Sequence, residues 1–144
     1  MKPWLLLIYK IPREPAAGRV FVWRKLKQLG AIPLQDAAWV LPGTPKTQEL
    51  LQWLAAEITE LGGDATLLSA EQLYATDAEA MKRRFVEPVE AEYREIAAAL
   101  EQEDRDLRAL SKRFQQVQAR DYFASELGRK VRARLLEARG GKAS

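Results

Sequence analysis

The sequence predicts an α+β fold in which a small sheet domain, residues 1–72, is followed by an α-helical C-terminal extension, residues 73–144. Three observations predict it. In the first seventy residues, strand-length apolar runs alternate with amphipathic segments of helical period, in the order strand, helix, strand, strand, helix, strand. Gly and Pro punctuate most of the junctions there. From Tyr93 onward the apolar positions instead keep a seven-residue rhythm, and neither Gly nor Pro occurs between Pro88 and Gly128.

Trp4-Leu5-Leu6-Leu7-Ile8-Tyr9 is a continuous apolar run that suits a central strand covered on both faces. Ile11 to Pro15 is a turn, and Pro15 is placed to start a helix over Ala16 to Leu29. Val22, Leu26 and Leu29 mark that helix's buried side, with Trp23 widening the stripe and Arg24, Lys25 and Gln28 opposite. Gly30 suits the C′ position. Ala31–Leu34 and Ala37–Leu41 read as strands joined by a Gln35-Asp36 turn, closed by Pro42-Gly43. Thr44 is the expected N-cap and Pro45 the first residue of a second helix, with Leu51, Leu54, Ile58 and Leu61 buried and Gly62-Gly63 as its stop. Asp64 to Ser69 returns as a fourth strand. A βαββαβ order in about seventy residues is the split, ferredoxin-like pattern of an antiparallel sheet with two helices on one face.

In the extension, Thr76 to Glu79 has the spacing of a capping box, Met81 and Phe85 share a face, and Pro88 kinks or restarts the helix. Tyr93, Ile96, Leu100, Leu107, Leu110, Phe114 and Val117 form one stripe that passes through the polar Glu103. The segment is therefore either one long helix or a hairpin turning at Glu101 to Asp106. Ser125 caps a last basic helix, Glu126 to Ala138, and Gly140 to Ser144 is expected to fray.

Composition restricts function more than it reveals it. The chain has 144 residues, 47% of them hydrophobic and 30% charged, with no cysteine and no histidine. Disulfides, thiolate chemistry and the usual zinc sites are thereby excluded, along with the commonest general base. No apolar run approaches the roughly 20 residues of a membrane span, and no signal peptide is expected from the Met1-Lys2-Pro3 start. The expectation is a cytoplasmic, non-enzymatic protein without metal or cofactor. The Glu101, Glu103, Asp104, Asp106 cluster does not converge on a site, because alternate helical residues point apart. No phosphate loop or nucleophile elbow is present.

Charge is unevenly placed. Net charge is +2 over residues 1–70, −6 over 71–104 and +7 over 105–144. The basic clusters Arg83, Arg84, Arg129, Lys130, Arg132 and Arg134 are the candidates for nucleic-acid contact, with Arg24, Lys25 and Lys27 of second rank. Arg129 with Arg132, and Lys130 with Arg134, make two rows of cations on the last helix. Such contacts position a duplex without reading its sequence. Trp4, Trp23, Trp39 and Trp53 each adjoin an apolar stripe, so they are expected in the core rather than stacked on bases.

Trp4 to Ile8, Arg19-Val20-Phe21-Val22-Trp23-Arg24-Lys25-Leu26, Leu29-Gly30-Ala31, Trp39-Val40-Leu41-Pro42, Trp53-Leu54, Arg113-Phe114 and Ala119-Arg120-Asp121-Tyr122-Phe123 form one ordered set. In this order they resemble the N-terminal domain of the chromate resistance regulator ChrB family. The resemblance covers nearly the whole chain. It implies a bacterial, DNA-binding or transcription-regulatory protein of the chromate response, with a sheet domain like that of the phenylacetate-pathway repressor and of the small CRISPR adaptation subunit. The larger family members carry a further C-terminal domain that this chain is expected to lack, which leaves an oxyanion effector in question. A degenerate metal-dependent nuclease is a weaker implication, because Ile8-Tyr9-Lys10 stands where such nucleases place an acidic residue. An adaptor module that docks on another regulator is the remaining alternative. The apolar stripe of the extension and the open edges of a four-stranded sheet both point to a homodimer.

Overall fold

The computed structural model describes residues 4–35 and 38–140. The elements are β1 (Trp4–Lys10), α1 (Ala16–Leu29), β2 (Ile32–Gln35), β3 (Ala38–Pro42), α2 (Pro45–Glu60), β4 (Asp64–Ala70), α3 (Ala80–Leu100), α4 (Leu107–Gln118) and α5 (Glu126–Gly140). The chain divides into two compact units, with the break between Ala78 and Glu79.

The first unit is a mixed α and β arrangement around a four-stranded antiparallel sheet of order β2-β3-β1-β4. β1 is an interior strand, paired with β3 from Trp4↔Pro42 to Ile8↔Ala38 and with β4 from Trp4↔Ala70 to Lys10↔Asp64. Its apolar run nonetheless alternates in burial. Leu5 and Leu7 are buried, Trp4 and Leu6 half-buried and Ile8 exposed, so hydrogen bonding on both edges does not mean full cover on both faces. Leu7 opposite Trp39 and Leu5 opposite Leu41 put four large side chains on one face of the sheet. α2 packs on β1 and β4 with Leu51, Leu54 and Ile58, and α1 adds Val22 and Leu26. The turn expected at Gln35-Asp36 runs into residues outside those described.

Local signals place the helices. Gly30, at φ 81°, ends α1 with its N–H on the Leu26 and Lys27 carbonyls, a conformation that only glycine adopts cheaply. Thr44 and Thr47 form a reciprocal capping box, each side chain accepting the other's backbone N–H at 3.0 and 2.9 Å. The buried Thr47 hydroxyl also donates to the Pro42 carbonyl at 2.6 Å, tying the start of α2 to the end of β3. Leu61, expected in the core, caps the C-terminus of α2 instead and is exposed.

The tryptophans separate. Trp39 is 5% exposed, whereas Trp23 and Trp53 are 52% and 48% exposed, so the expected core role fails for those two. The buried stripe of α1 is centred on Val22 and Leu26, and Trp23 falls about a quarter-turn outside it.

The second unit is a three-helix assembly. α3 contributes Val89, Tyr93, Ile96 and Leu100 to its core, α4 Phe114 and Val117, and α5 Val131 and Leu135. The hairpin is realised rather than one long helix. Arg105 donates to the Leu100 carbonyl at 3.2 Å, satisfying an orphan group at the end of α3. Asp106 then caps α4 by accepting the Ala109 N–H at 3.1 Å. Glu103 lies in this exposed connection, where its charge meets water. The capping box expected at Thr76 to Glu79 is not in place: these residues form bends and a turn, and α3 begins at Ala80 with Glu79 as an N-cap in helical conformation that makes no side-chain cap hydrogen bond. Pro88 sits inside α3, which continues through it.

Ser125 caps α5 as expected, its hydroxyl accepting the Gly128 N–H at 3.4 Å. Asp121 holds the corner before α5. Its carboxylate accepts the Tyr93 hydroxyl at 3.0 Å and the Ser125 N–H at 3.0 and 3.1 Å. Burial first, and then the hydrogen bond to the Asp121 carboxylate and its charge, push the Tyr93 phenol far above its ordinary range. Arg120 donates to Glu92 at 2.7 Å, which holds the Glu92 carboxyl below its usual value.

Two stability tests follow from this packing. Trp39→Ala is expected to cost about 3–5 kcal/mol as a buried large-to-small change, and Trp23→Ala less than about 1 kcal/mol, both read by denaturant unfolding. A Cβ added at Gly128 would stand 2.7 to 2.9 Å from the Tyr93 ring and hydroxyl. Gly128→Ala is therefore expected to destabilise by roughly 1–3 kcal/mol despite the better helix propensity of Ala. An unchanged unfolding midpoint would show that the Tyr93 ring can move aside.

Candidate nucleic-acid interface

α5 carries four of the six candidate cations, and its orientation decides which way each points. Gly128, Val131 and Leu135 form its buried face. Arg129 and Arg132 flank that face on one side, Lys130 and Arg134 on the other, so the two rows diverge around the helix. Arg132 leans toward α4, sharing a groove with Ser111, Phe114, Gln115 and Gln118. Arg134 leans toward the α3–α4 connection and pairs with Glu101. The rows do not merge into one patch.

The cations also differ in what already holds them. Arg129 pairs with Glu126 one turn earlier and donates to the Ala124 carbonyl at 3.4 Å. Both ion pairs are solvent-exposed and worth well under about 1 kcal/mol each, so a phosphate can compete for these guanidinium groups. Lys130 and Arg132 are exposed and make no ion pair among the described residues. Arg83 and Arg84 lie exposed near the start of α3, where the Arg83 N–H donates to the Glu79 carbonyl at 3.1 Å. Lys82 lies over the Phe123 ring at 5.4 Å in the same region. Phe123 and Tyr122 both pack on Phe85, and burial pushes the Tyr122 phenol up to about 12. Of the acidic cluster, Glu101 is used by Arg134 and Asp106 as a cap. Among the described residues no group of three or more acidic side chains is placed to hold a metal ion.

The second-rank cations of α1 meet something the sequence reading missed. Lys25 sits over the rings of Phe21 at 5.9 Å and Trp53 at 5.2 Å, and Lys27 sits over Trp23 at 5.6 Å. Ala17, Val20, Phe21, Arg24, Lys25 and Gln28 line a shallow cleft of about 430 Å³ along the solvent side of the helix. An apolar surface interleaved with ammonium groups in this way is suited to a macromolecular partner. The available signal was charge: α1 holds four cations and no carboxylate, and Trp23 lies off the Val22–Leu26 axis.

Among known families, the description "Protein ChrB, N-terminal" matches residues 19–99, from α1 almost to the end of α3. The family match reaches α1, Arg83 and Arg84 and ends before α4 and α5. Protein ChrB of Cupriavidus metallidurans (strain CH34) is 37% identical over 68 residues, which are 47% of this chain and 21% of that protein. The match thus spans about a fifth of the curated relative. No solved structure matches. Among the described residues, no helix is long and apolar enough to cross a membrane. With the family description matching more than half of its length, the chain belongs to the ChrB N-terminal family.

Proposed function

We propose that this chain is a non-enzymatic, DNA-binding regulatory module of the bacterial chromate response, acting as a cytoplasmic homodimer. Membership in the ChrB N-terminal family is the observation that carries the reading. The β2-β3-β1-β4 antiparallel order supports assigning the first unit to the ferredoxin-like class, and the module to a scaffold that presents helices to a partner. The cations of α5 support a duplex partner. Each Lys or Arg that neutralises a phosphate releases a counterion, so backbone contact supplies affinity without a base-reading element.

The exposed Trp23 and Trp53 favour a second reading, an adaptor whose α1 and α2 dock on another protein. The two readings separate on salt dependence. Arg129, Lys130, Arg132 and Arg134 changed together to Gln should leave folding intact, because Gln keeps helix propensity close to that of Arg and Lys. The slope of log duplex affinity against log salt should flatten by roughly 0.9 per lost phosphate contact. Lys130→Gln with Arg132→Gln should account for most of the change, since these two cations have no ion pair to give up. An unchanged slope would transfer the lead to the adaptor.

Assembly has its own test. β2 and β4 each pair on one side only, and Leu68 and Ile8 are exposed on the sheet. Sedimentation at micromolar concentration is expected to give a dimer, and a clean 16.3 kDa species would overturn it.

A further inference from the structure

The sheet of the first unit has two edges, and only one of them is protected. β2 is four residues long, carries Pro33 and shifts its register against β3 between Pro33 and Gln35. A short strand, a residue without an N–H and a bulge are the devices that stop an edge from pairing further. β4 has none of them. It runs for seven residues, Asp64 to Ala70, in unbroken register with β1 from Lys10↔Asp64 to Trp4↔Ala70. No Pro, Lys or Arg interrupts it, and its one charge, Asp64, stands at the first position.

The outer side of β4 is accessible backbone. Among the described residues β1 is its only strand neighbour, and Asp64, Thr66, Leu68 and Ser69 are exposed. In an antiparallel sheet, alternate residues turn their N–H and C=O groups to opposite sides. β4 therefore carries a row of donors and acceptors that β1 does not reach. Leu68, opposite Leu6, is 45% exposed on the sheet face away from Leu5 and Leu7, so this edge is apolar as well as unpaired.

Such a strand is complementary to itself. Two copies laid antiparallel about a twofold axis normal to the sheet, with all seven residues overlapping, oppose Leu67 to Leu67 and Asp64 to Ala70. The two carboxylates then fall at opposite ends of the seam. Roughly six to eight backbone hydrogen bonds form in that register without any change of fold. β2 offers no equivalent run.

We propose that β4 is the interface strand of this chain, pairing antiparallel with β4 of a second copy so that two four-stranded sheets become one continuous sheet. The inference rests on the homodimer reading above and assigns it a surface. The twofold axis sets α1 and α2 of both copies on the same side of the joined sheet. The cluster of Lys25 with Phe21 and Trp53 thereby occurs twice on one face.

The test uses the full chain. Amide hydrogen exchange, read residue by residue, is expected to be slowed by about tenfold or more at the outward-facing β4 amides when the dimer predominates, and restored on dilution to monomer. A dimer made by stacking two sheets face to face leaves those amides unbonded, so the readout is specific to edge pairing. Cross-linking gives a second measurement. The chain has no cysteine, so a single Leu67→Cys reports only on its own pairing. Leu67 lies opposite Leu7, on the face that α2 covers, where edge pairing is what brings two copies within the roughly 4.4–6.8 Å Cα separation of a disulfide. Oxidation is expected to give a covalent dimer of Leu67→Cys and none of Leu34→Cys, an exposed position on β2.

A dimer whose β4 amides exchange as fast as those of the monomer would keep the homodimer reading and overturn the edge. Cross-linking through Leu34→Cys in place of Leu67→Cys would do the same. A chain that stays monomeric at every concentration would remove both.

Discussion

The Asp121 carboxylate is the constraint on which the second unit depends. It accepts a hydroxyl from α3 and a backbone N–H from the corner before α5, so one short side chain ties an element 28 residues earlier to a corner four residues later. Ala124, in that corner, has φ 51°, a left-handed backbone that a non-glycine residue keeps only when its surroundings impose it. The Tyr93 ring meanwhile rests against Gly128, where any side chain would collide. Tyr93, Asp121 and Gly128 therefore set the rotation of α5 about its own axis. That rotation decides which arginines face α4 and which face the α3–α4 connection.

Electrostatics reinforce the same corner. Arg120 and Arg113 both reach Glu92, and Arg113 also pairs with Glu95. Glu92 is half-buried, and its carboxyl is held below the usual range chiefly by the Arg120 hydrogen bond. Its folded value lies below its unfolded one, so the contribution to stability is present above the unfolded value and fades as pH falls through the folded one. The Ala119-to-Phe123 segment is thus a structural clasp: Arg120 and Asp121 bind α3 by charge and hydrogen bond, while Tyr122 and Phe123 pack on Phe85.

In the sheet unit, the corresponding anchor is the register of β1 against β3. It places Trp39 beside Leu7 on the covered face, and burial pushes up the phenol of Tyr9, two residues further along that strand. The same unit leaves Trp23 and Trp53 half in water under lysine ammonium groups. An indole buried among leucines and an indole flanked by cations are equivalent in composition. Only the first stabilises the fold through its whole area.

The order of the six elements in the sheet unit, the Thr44 and Ser125 caps, the Gly30 stop and the core stripes of α2 and α3 were legible in the sequence. Each is a local consequence of backbone geometry: helical and strand periods, the reach of a hydroxyl to the next turn, the freedom of glycine at positive φ. The misreadings share the opposite cause. Trp23 lies beside an apolar stripe, and a period alone does not say how far around a helix the neighbouring layer extends. The capping spacing at Thr76 to Glu79 was present without the helix start that would use it. The two cation rows on α5 were visible as spacing, but the ion pair of Arg134 with Glu101 joins residues on different helices. Sequence determined the segments and their ends because those depend on neighbours within a turn or two. Tertiary structure decided the faces, because loop closure and side-chain packing fix how one segment is rotated against the next.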